Sequence, residues 1–331
     1  MSISSKGYSV VRRVIQRHGL LLVLVALFII SSVINKNFLS VRNLTNISRQ
    51  ISITTILAFG QTILIIPGML DLSCGSVLAL SGLLSVSLYK QTESLLLAFM
   101  VSIVIAVLCN FLNGLMVTRF RTPPFIATLA MLTMARGAAL LYTNGQNIYQ
   151  IGKYTVFGQG SLWIIPTPII FFFLVGIVTW YILTHTRMGR SLYAIGGNEE
   201  AAIASGINVH KRKMQAYLVN GVLVGIAGVI FMSRVNAGLP NGAVGYEFEA
   251  LTSAVIGGTS FSGGIGTAGG TVIGAFIVGI LNNMMNLAGL NAYLQQVIRG
   301  AIIALAVIYD MYAKKMRTTR TLGSIEETQS A

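Results

Sequence analysis

Runs of apolar residues long enough to cross a lipid bilayer recur along the whole chain. A helix needs about 20 mostly apolar residues to span the hydrocarbon core. Only 10% of the 331 residues are charged and 54% are hydrophobic, whereas soluble domains carry about 25% charged residues. The sequence therefore predicts an all-α fold, a polytopic transmembrane helix bundle of about ten spans. We place them at 20–34, 51–67, 73–89, 95–117, 125–142, 168–184, 214–233, 249–260, 265–287 and 294–310.

Two of these spans are predicted to be broken or re-entrant. Pro67 and Gly68 precede the third span, and Asp71 and Ser73 fall in its first turns. The eighth span, 249–260, is too short to cross about 30 Å of hydrocarbon at about 1.5 Å per residue. Irregular backbone at membrane depth is tolerated only where it is buried in protein or lines a cavity.

The distribution of Lys and Arg predicts the orientation. With the N-terminus inside and ten spans, fifteen basic residues fall on the side of the termini and six on the other side. Basic residues favour the cytoplasmic side, so we expect a cell inner-membrane protein with both termini in the cytoplasm. The predicted loop 35–50 carries three of the six and fits worst. The net charge of +14 reflects this orientation and does not indicate a nucleic-acid partner.

One long polar insertion, residues 185–213, separates two strongly apolar halves of the chain. Within it Asn198 is a good N-cap for a short helix. Glu199 and Glu200 would occupy the first turn, where the helix dipole favours negative charge by about 0.3–1 kcal/mol. Gly206 can end the helix in a left-handed conformation.

The insertion has two possible roles. It is either a solvated connector or a rigid element that docks on a cytoplasmic partner. In the second case the small side chains of Ala201 and Ala202 would allow close approach, and the glutamates would meet basic residues.

The insertion resembles part of a known motif. Glu200-Ala201-Ala202, followed after three residues by Gly206, is similar to the first half of the EAA loop of ABC importer permeases, which contacts the ATPase subunit. The later Ile-x-Leu-Pro part of that loop is absent. This departure points away from maltose-type permeases and toward the ribose-type monosaccharide permeases.

Other segments resemble the ribose-type family in the same order over residues 20–312. They are Met69-Leu-Asp-Leu-Ser-Cys-Gly-Ser76, Phe125-Ile-Ala-Thr-Leu129, Arg136-Gly137, Tyr142-Thr-Asn-Gly145, Tyr193-Ala-Ile-Gly-Gly-Asn198, Gly245-Tyr-Glu-Phe-Glu249 and Val255-Ile-Gly-Gly-Thr-Ser260. The apolar runs and the basic residues predict a cytoplasmic segment 1–19, a transmembrane permease domain 20–312 and a cytoplasmic tail 313–331. The resemblance implies ten spans, a second permease subunit, identical or paralogous, a separate ATPase and a periplasmic sugar-binding protein.

Ionisable residues inside a membrane are costly and usually face the protein interior. Asp71 either caps the broken third span or lines a pathway. Arg136 either braces spans by donating to carbonyl groups or pairs with Asp71 or a substrate path. Glu247 and Glu249 are candidates for a cap, an outer docking contact or pore lining. An ion-coupled secondary transporter is the alternative function, and Asp71 is its acidic candidate.

Six polar residues lie in apolar surroundings. They either line a hydrophilic path or bond to a neighbouring helix, and they are Ser73, Thr252, Ser253, Asn282, Asn283 and Asn286.

Gly266, Gly270 and Gly274 are expected on one helix face at i, i+4 and i+8, where small residues let membrane helices pack closely. The surrounding GxGxxG pattern does not indicate a dinucleotide site, because no acidic residue follows until Asp310. A phosphate-binding GxxxxGK[ST] motif is absent from the sequence, so ATP would bind elsewhere. The three histidines form no metal or catalytic set, and we expect neither a cofactor nor an enzyme.

Overall fold

The computed structural model describes residues 5–308, with side chains from residue 19 onward. Its helices are α1 (Ser5–Ile34), α2 (Val41–Ile65), α3 (Cys74–Thr92), α4 (Leu95–Thr118), α5 (Pro124–Thr143), α6 (Thr167–His185), α7 (Arg187–Gly197), α8 (Glu199–Ala204), α9 (Val209–Val235), α10 (Tyr246–Ile256), α11 (Ala268–Leu287) and α12 (Ala292–Ile308). A 3-10 turn and a two-stranded hairpin, β1 (Ser161–Leu162) and β2 (Ile165–Pro166), precede α6. The predicted all-α bundle is confirmed.

Five of the helices in the described part of the chain are long and apolar enough to cross a membrane, namely α4, α5, α6, α9 and α11. The centre of the bundle is α2, which packs against α6, α9, α10 and α11. Every residue from 51 to 65 is buried. Because neighbouring helices cover α2 on all sides, it carries Thr55, Gln61 and Thr62 in its buried part without exposing them to lipid.

The prediction of a loop over residues 35–50 is wrong, because α2 already begins at Val41. The Ser40 hydroxyl accepts a hydrogen bond from the backbone N–H of Asn43 and caps the helix. Arg49 therefore lies on the helix, and its Nη2 donates to the carbonyl oxygen of Gln159 at 2.8 Å.

Loop contacts define two opposite ends of the bundle. The hairpin face contains the loops 35–40, 93–94, 144–166 and 288–291, and the α7–α8 face contains 119–123, 186–208 and 257–267. On the hairpin face the backbones of Ile148 and Gly238 exchange two hydrogen bonds. On the α7–α8 face Gly264 N–H donates to the carbonyl of Ile66 at 2.8 Å.

The eighth span is short, as predicted, whereas the third span is not broken: α3 is continuous from Cys74 to Thr92 and the irregular backbone lies before it. Between α2 and α3 the chain turns irregularly at residues 66–73, and α10 has only 11 residues, or about 16 Å of helix. The segment before α10 dips into the bundle, where Arg136 Nη1 donates to the carbonyls of Pro240 at 2.7 Å and Gly242 at 2.8 Å. Arg136 lies seven residues before the end of α5, so this contact is about 10 Å inside the bundle.

Candidate functional site

The polar insertion forms two helices, whereas the sequence predicted one. The additional helix is α7, whose start is capped by the Thr186 hydroxyl accepting from Gly189 N–H at 3.0 Å. Leu192 and Ile195 are buried on one side of α7, while Ala194 on another side is exposed. The insertion is thus a small folded unit attached to the end of the bundle.

The second helix, α8, has the predicted local geometry. Asn198 Oδ1 accepts from Ala201 N–H at 3.0 Å, and Gly206 has a φ of 80°. Glu199 forms an ion pair with Lys213 Nζ at 2.8 Å, which ties α8 to the start of α9. Glu200 is exposed.

The expectation that Ala202 presents itself to a partner is wrong. Ala202 is only 3% exposed and belongs to a small core with Ile195 and Val209. The exposed side of α8 carries Ala201 and also Ile203, which is 57% exposed. Sequence reasoning missed Ile203; its signal is an apolar side chain three positions after Glu200, on the same side of a short polar helix.

Helix α7 rests directly on backbone of the bundle. A Cβ atom on Gly196 would collide with the carbonyl oxygen of Ile66 and the amide nitrogen of Gly264. The Tyr193 hydroxyl donates to the carbonyl oxygen of Gly266 at 2.6 Å. The insertion therefore touches both the 66–73 turn and the 257–267 loop that follows α10.

Asp71 is the centre of a buried polar network. Its Oδ1 accepts from the N–H of Ser73 at 2.7 Å and from the Ser73 hydroxyl, and its Oδ2 accepts from Asn220 Nδ2 at 2.7 Å. Asn220 also donates to Asn110 Oδ1 at 2.8 Å, and Asn113 donates to Ser73 Oγ at 3.0 Å. All five residues are fully buried, and together they join the 66–73 turn to α4 and α9.

This geometry favours the capping interpretation of Asp71. Its carboxylate accepts one backbone N–H just before α3, that of Ser73, which is the N-cap residue of the helix. Neither of the two cavities described below is lined by Asp71, within the part of the chain that the structure covers. Sequence reasoning missed Asn110, Asn113 and Asn220. Asn110 and Asn113 carry a signal, since amides three residues apart in an apolar helix share one face.

Of the two roles considered for Arg136, the structure shows the bracing one, in which its guanidinium donates to backbone carbonyl groups. It bonds to the segment before α10, and the described residues contain no ion pair between Arg136 and Asp71. The two glutamates of α10 are buried and differ in their partners. Glu249 pairs with Arg299 of α12 at 2.9 Å, while one oxygen of Glu247 accepts from Gly245 N–H at 3.1 Å.

The polar residues proposed from the sequence to line a pathway are divided between two cavities. Thr252 and Asn282 line a cavity of about 540 Å³ between α10, α11 and α12. Asn283 and Asn286 line a second cavity of about 560 Å³ that opens on the hairpin face beside the start of α2. Ser253 lies at neither within the described structure, and its hydroxyl bonds to the carbonyl of Glu249 at 2.7 Å.

The three glycines do not share one helix face. Helix α11 begins at Ala268, so Gly266 lies in the preceding loop, and the prediction is wrong for that residue. Thr267 ends the loop, because its hydroxyl caps α11 by accepting from Gly270 N–H at 3.0 Å. Gly270 and Gly274 do face α10: added Cβ atoms would collide with the carbonyl oxygens of Gly257 and Ser253.

The family of branched-chain amino acid transport system permease components matches residues 43–307. That range contains both interrupted segments, the α7–α8 insertion and nearly all of the bundle described above. The chain therefore belongs to this family of transport permeases and is a multi-pass protein of the inner membrane.

Proteins named for sugar transport are similar to this chain over almost its full length. It is 41% identical over 300 residues to the ribose import permease protein RbsC of Bacillus subtilis, covering 90% of this chain and 93% of that protein. It is 35% identical to the D-allose transport system permease protein AlsC of Escherichia coli, covering 89% and 91%. It is 32% identical to the L-arabinose transport system permease protein AraH of Escherichia coli, covering 93% and 94%.

Proposed function

We propose that this chain is the permease subunit of an ABC importer and carries a monosaccharide across the inner membrane. One observation carries the proposal: relatives named for ribose, allose and arabinose transport align with at least 89% of the chain at 32–41% identity. An aldopentose or a related aldohexose is the substrate class that these names have in common.

The α7–α8 insertion is the element that we assign to contact with a separate ATPase subunit. It is a folded projection at one end of the bundle, it is anchored by the Glu199–Lys213 ion pair, and it exposes Glu200, Ala201 and Ile203. Ala202 packs in the small core of the insertion, and Gly206 allows the chain to turn after α8. The excess of basic residues near 185–213 and in the terminal segments supports a cytoplasmic location for this face.

Movement of the insertion would reach the membrane part through α7. Gly196 meets the backbone of Ile66 and Gly264 with no side chain between, so α7 has little room to move without displacing both loops. The 66–73 turn in turn holds Asp71 and its network. ATP-driven displacement of the insertion would thereby be transmitted to α3, α4, α9 and α10.

The remaining partners follow from the same class of transporter. A periplasmic sugar-binding protein would dock on the hairpin face, and a second permease subunit, identical or paralogous, would complete the assembly within the lipid. The ion-coupled alternative is not favoured, because the Asp71 carboxylate is held by Ser73 and Asn220.

Reconstitution tests the function directly. The permease is co-expressed with an ABC ATPase subunit, inserted in liposomes and supplied with a periplasmic sugar-binding protein outside and ATP inside. We expect uptake of labelled D-ribose, D-allose or L-arabinose that requires ATP and is unaffected by collapse of the proton and sodium gradients. Uptake by the permease alone, driven by an ion gradient, would contradict the proposal.

A further inference from the structure

The hairpin before α6 ends in four consecutive apolar side chains that the described part of the protein leaves uncovered. Leu162 and Ile165 are exposed, and Trp163 and Ile164 are 94% and 92% exposed. Strand β2 runs directly into α6 and packs against that helix. A contiguous apolar surface on a folded protein marks contact with a partner or with a membrane.

The residues at the tip of the hairpin are not those that a tight turn prefers. Leu162 pairs with Ile165, so Trp163 and Ile164 form a two-residue loop. Such loops favour Asn-Gly or Asp-Gly, since the turn needs positive φ. Trp163 has a φ of 57°, a conformation that is uncommon for a large side chain. The local backbone gains nothing from these two residues, so a contact outside the hairpin accounts for their side chains.

The two tryptophans of the chain, Trp163 and Trp180, lie toward opposite ends of α6. Trp180 comes 13 residues after Thr167, the first residue of α6, which is about 20 Å along the helix. The four residues back from Thr167 to Trp163 add at most about 13 Å of extended chain. The two Cα atoms are therefore at most about 33 Å apart, close to the thickness of the hydrocarbon core. Tryptophan is enriched at both boundaries of that core.

The exposed side of α6 continues the apolar surface of the hairpin. Phe173, Ile177 and Tyr181 are exposed and follow each other at intervals of four residues, so they share one helix face. No Asp, Glu, Lys or Arg occurs between Lys153 and Arg187. A surface for a soluble partner has a polar rim, whereas uncharged aromatic and aliphatic side chains suit the boundary between lipid headgroups and acyl chains.

We propose that the hairpin 161–166 is an interfacial membrane anchor, in which Trp163 and Ile164 insert between the lipid headgroups on the hairpin face. The indole ring lies at the level of the headgroups, where its N–H donates to a headgroup or to water. Ile164 reaches the boundary with the acyl chains. The anchor fixes the depth and tilt of α6, because interfacial aromatic residues set both for a membrane helix.

Helix α6 joins the anchor to the α7–α8 insertion. Helix α7 begins at Arg187, two residues after His185 ends α6. A Cβ atom on Gly189 would collide with the carbonyl oxygens of Ile182 and Leu183, so α7 packs directly against the end of α6. Anchoring of α6 thereby sets where the insertion stands relative to the membrane surface.

Tryptophan fluorescence measures the insertion in the full-length permease. In Trp180→Phe, Trp163 is the sole tryptophan. The protein is reconstituted in vesicles of phosphatidylcholine that either carries bromine on the acyl chains close to the headgroup or carries none. We expect the brominated lipid to lower the emission at least about twofold, because bromine quenches a ring that it touches at the headgroup boundary. Iodide present on both sides of the membrane should have little effect.

The control places a tryptophan on the same face at a charged position. Lys153 is exposed in the 3-10 turn Gly152–Phe157. Lys153→Trp is made in a background in which Trp163 and Trp180 are both replaced by phenylalanine. Its emission should be quenched by iodide and should be unaffected by brominated lipid.

A second variant removes the apolar tip and retains the hairpin. Trp163→Asn with Ile164→Gly supplies the residues that this turn prefers, so the strands should still pair. Without the anchor, the hairpin leaves the interface, and an impermeant thiol reagent should label Ser161→Cys about threefold faster. The rate of labelling of Lys153→Cys should not change.

Each outcome bears on the anchor without depending on sugar uptake. Quenching of Trp163 by brominated lipid with protection from iodide, together with faster labelling of Ser161→Cys in the double variant, supports the anchor. Quenching by iodide alone overturns it, as does unchanged labelling of Ser161→Cys. Protection from both quenchers overturns it in favour of a second permease subunit that covers the tip. Emission that responds to an added sugar-binding protein but not to brominated lipid assigns the tip to that protein instead.

Discussion

At the scale of single residues, the closest backbone contacts occur where a glycine meets another chain segment. Gly196 of α7 and Gly270 of α11 both sit where an added Cβ would meet backbone atoms, which move less easily than side chains. Each has a glycine neighbour in the same helix, Gly197 and Gly269, for which the described structure has no atom within 4 Å of an added Cβ. Substituting each member of a pair in turn separates the effect of a collision with backbone from the effect of simply adding a side chain to the helix.

Gly196→Ala should uncouple α7 from the membrane part. The new methyl group meets Ile66 and Gly264, and overpacking of this kind costs about 1–3 kcal/mol. We expect α7 to lift off the two loops and sugar uptake to fall about tenfold, with the protein still inserted in the membrane. Uptake is measured at equal protein level, together with the rate of ATP hydrolysis stimulated by the binding protein.

The matched variant is Gly197→Ala, which adds the same methyl group at the neighbouring, last residue of α7 without a collision. It should transport like the parent protein. Equal uptake in the two variants would mean that the contact between α7 and the loops does not transmit movement.

At the scale of elements, α8 has a buried side and an exposed side. A new carboxylate should have a different effect on each side. Ile203→Asp places a charge on the exposed side, where it should reduce retention of the ATPase subunit at least about fivefold while the permease stays folded. The readout is the ratio of ATPase to permease after affinity purification.

Two variants control that experiment. Ala202→Asp buries an unpaired charge against Ile195 and Val209 and should lower the thermal stability of the permease itself. Leu162→Asp, at an exposed apolar position of the hairpin on the opposite face, should retain the ATPase normally. If Ile203→Asp also retained the ATPase, α8 would be only a connector.

The pair α10 and α11 depends on close approach of two backbones. In Gly270→Leu the side chain would have to occupy the space of the Gly257 carbonyl, so we expect the helices to separate and the protein to aggregate or elute as a broad peak in size-exclusion chromatography. Gly269→Leu changes the composition of α11 equally and should give a sharp peak. A sharp peak from both would show that the contact tolerates a side chain.

At the scale of the whole molecule, the two faces of the bundle differ in what they expose. The α7–α8 face carries the folded insertion, and the hairpin face carries Trp163 at 94% exposure and the mouth of the second cavity. The side chains of three basic residues on the hairpin face donate to neighbouring groups: Arg49 to the carbonyl oxygen of Gln159, Lys90 to the carbonyl oxygen of Tyr149 and Arg234 to Oε1 of Gln50. Such bonding gives these residues a structural role on the side where basic residues are otherwise few.

The orientation can be measured with two serine positions. A membrane-impermeant thiol reagent added to intact cells should label Ser161→Cys in the hairpin and miss Ser205→Cys after α8, and both should label after the membrane is opened. The reason is the excess of basic residues on the α7–α8 side and in the terminal segments. Labelling of Ser205→Cys in intact cells would reverse the orientation.

The sequence by itself determined the class of fold and several local features. Apolar runs identify membrane helices because the bilayer imposes a minimum length, and the short eighth span is visible from length alone. The Asn198 cap and the positive φ of Gly206 follow from neighbouring residues. Such features depend on bonds within one turn of the chain, so local composition is sufficient to predict them.

Only the tertiary structure decided which of these residues meet. Asn110 and Asn220 are far apart in the chain, yet both belong to the network of Asp71. The inward position of Ala202 and the place of Gly266 before α11 also depend on how the helices pack. Helical periodicity defines a face but does not say what covers it, because that is decided by contacts between segments distant in sequence.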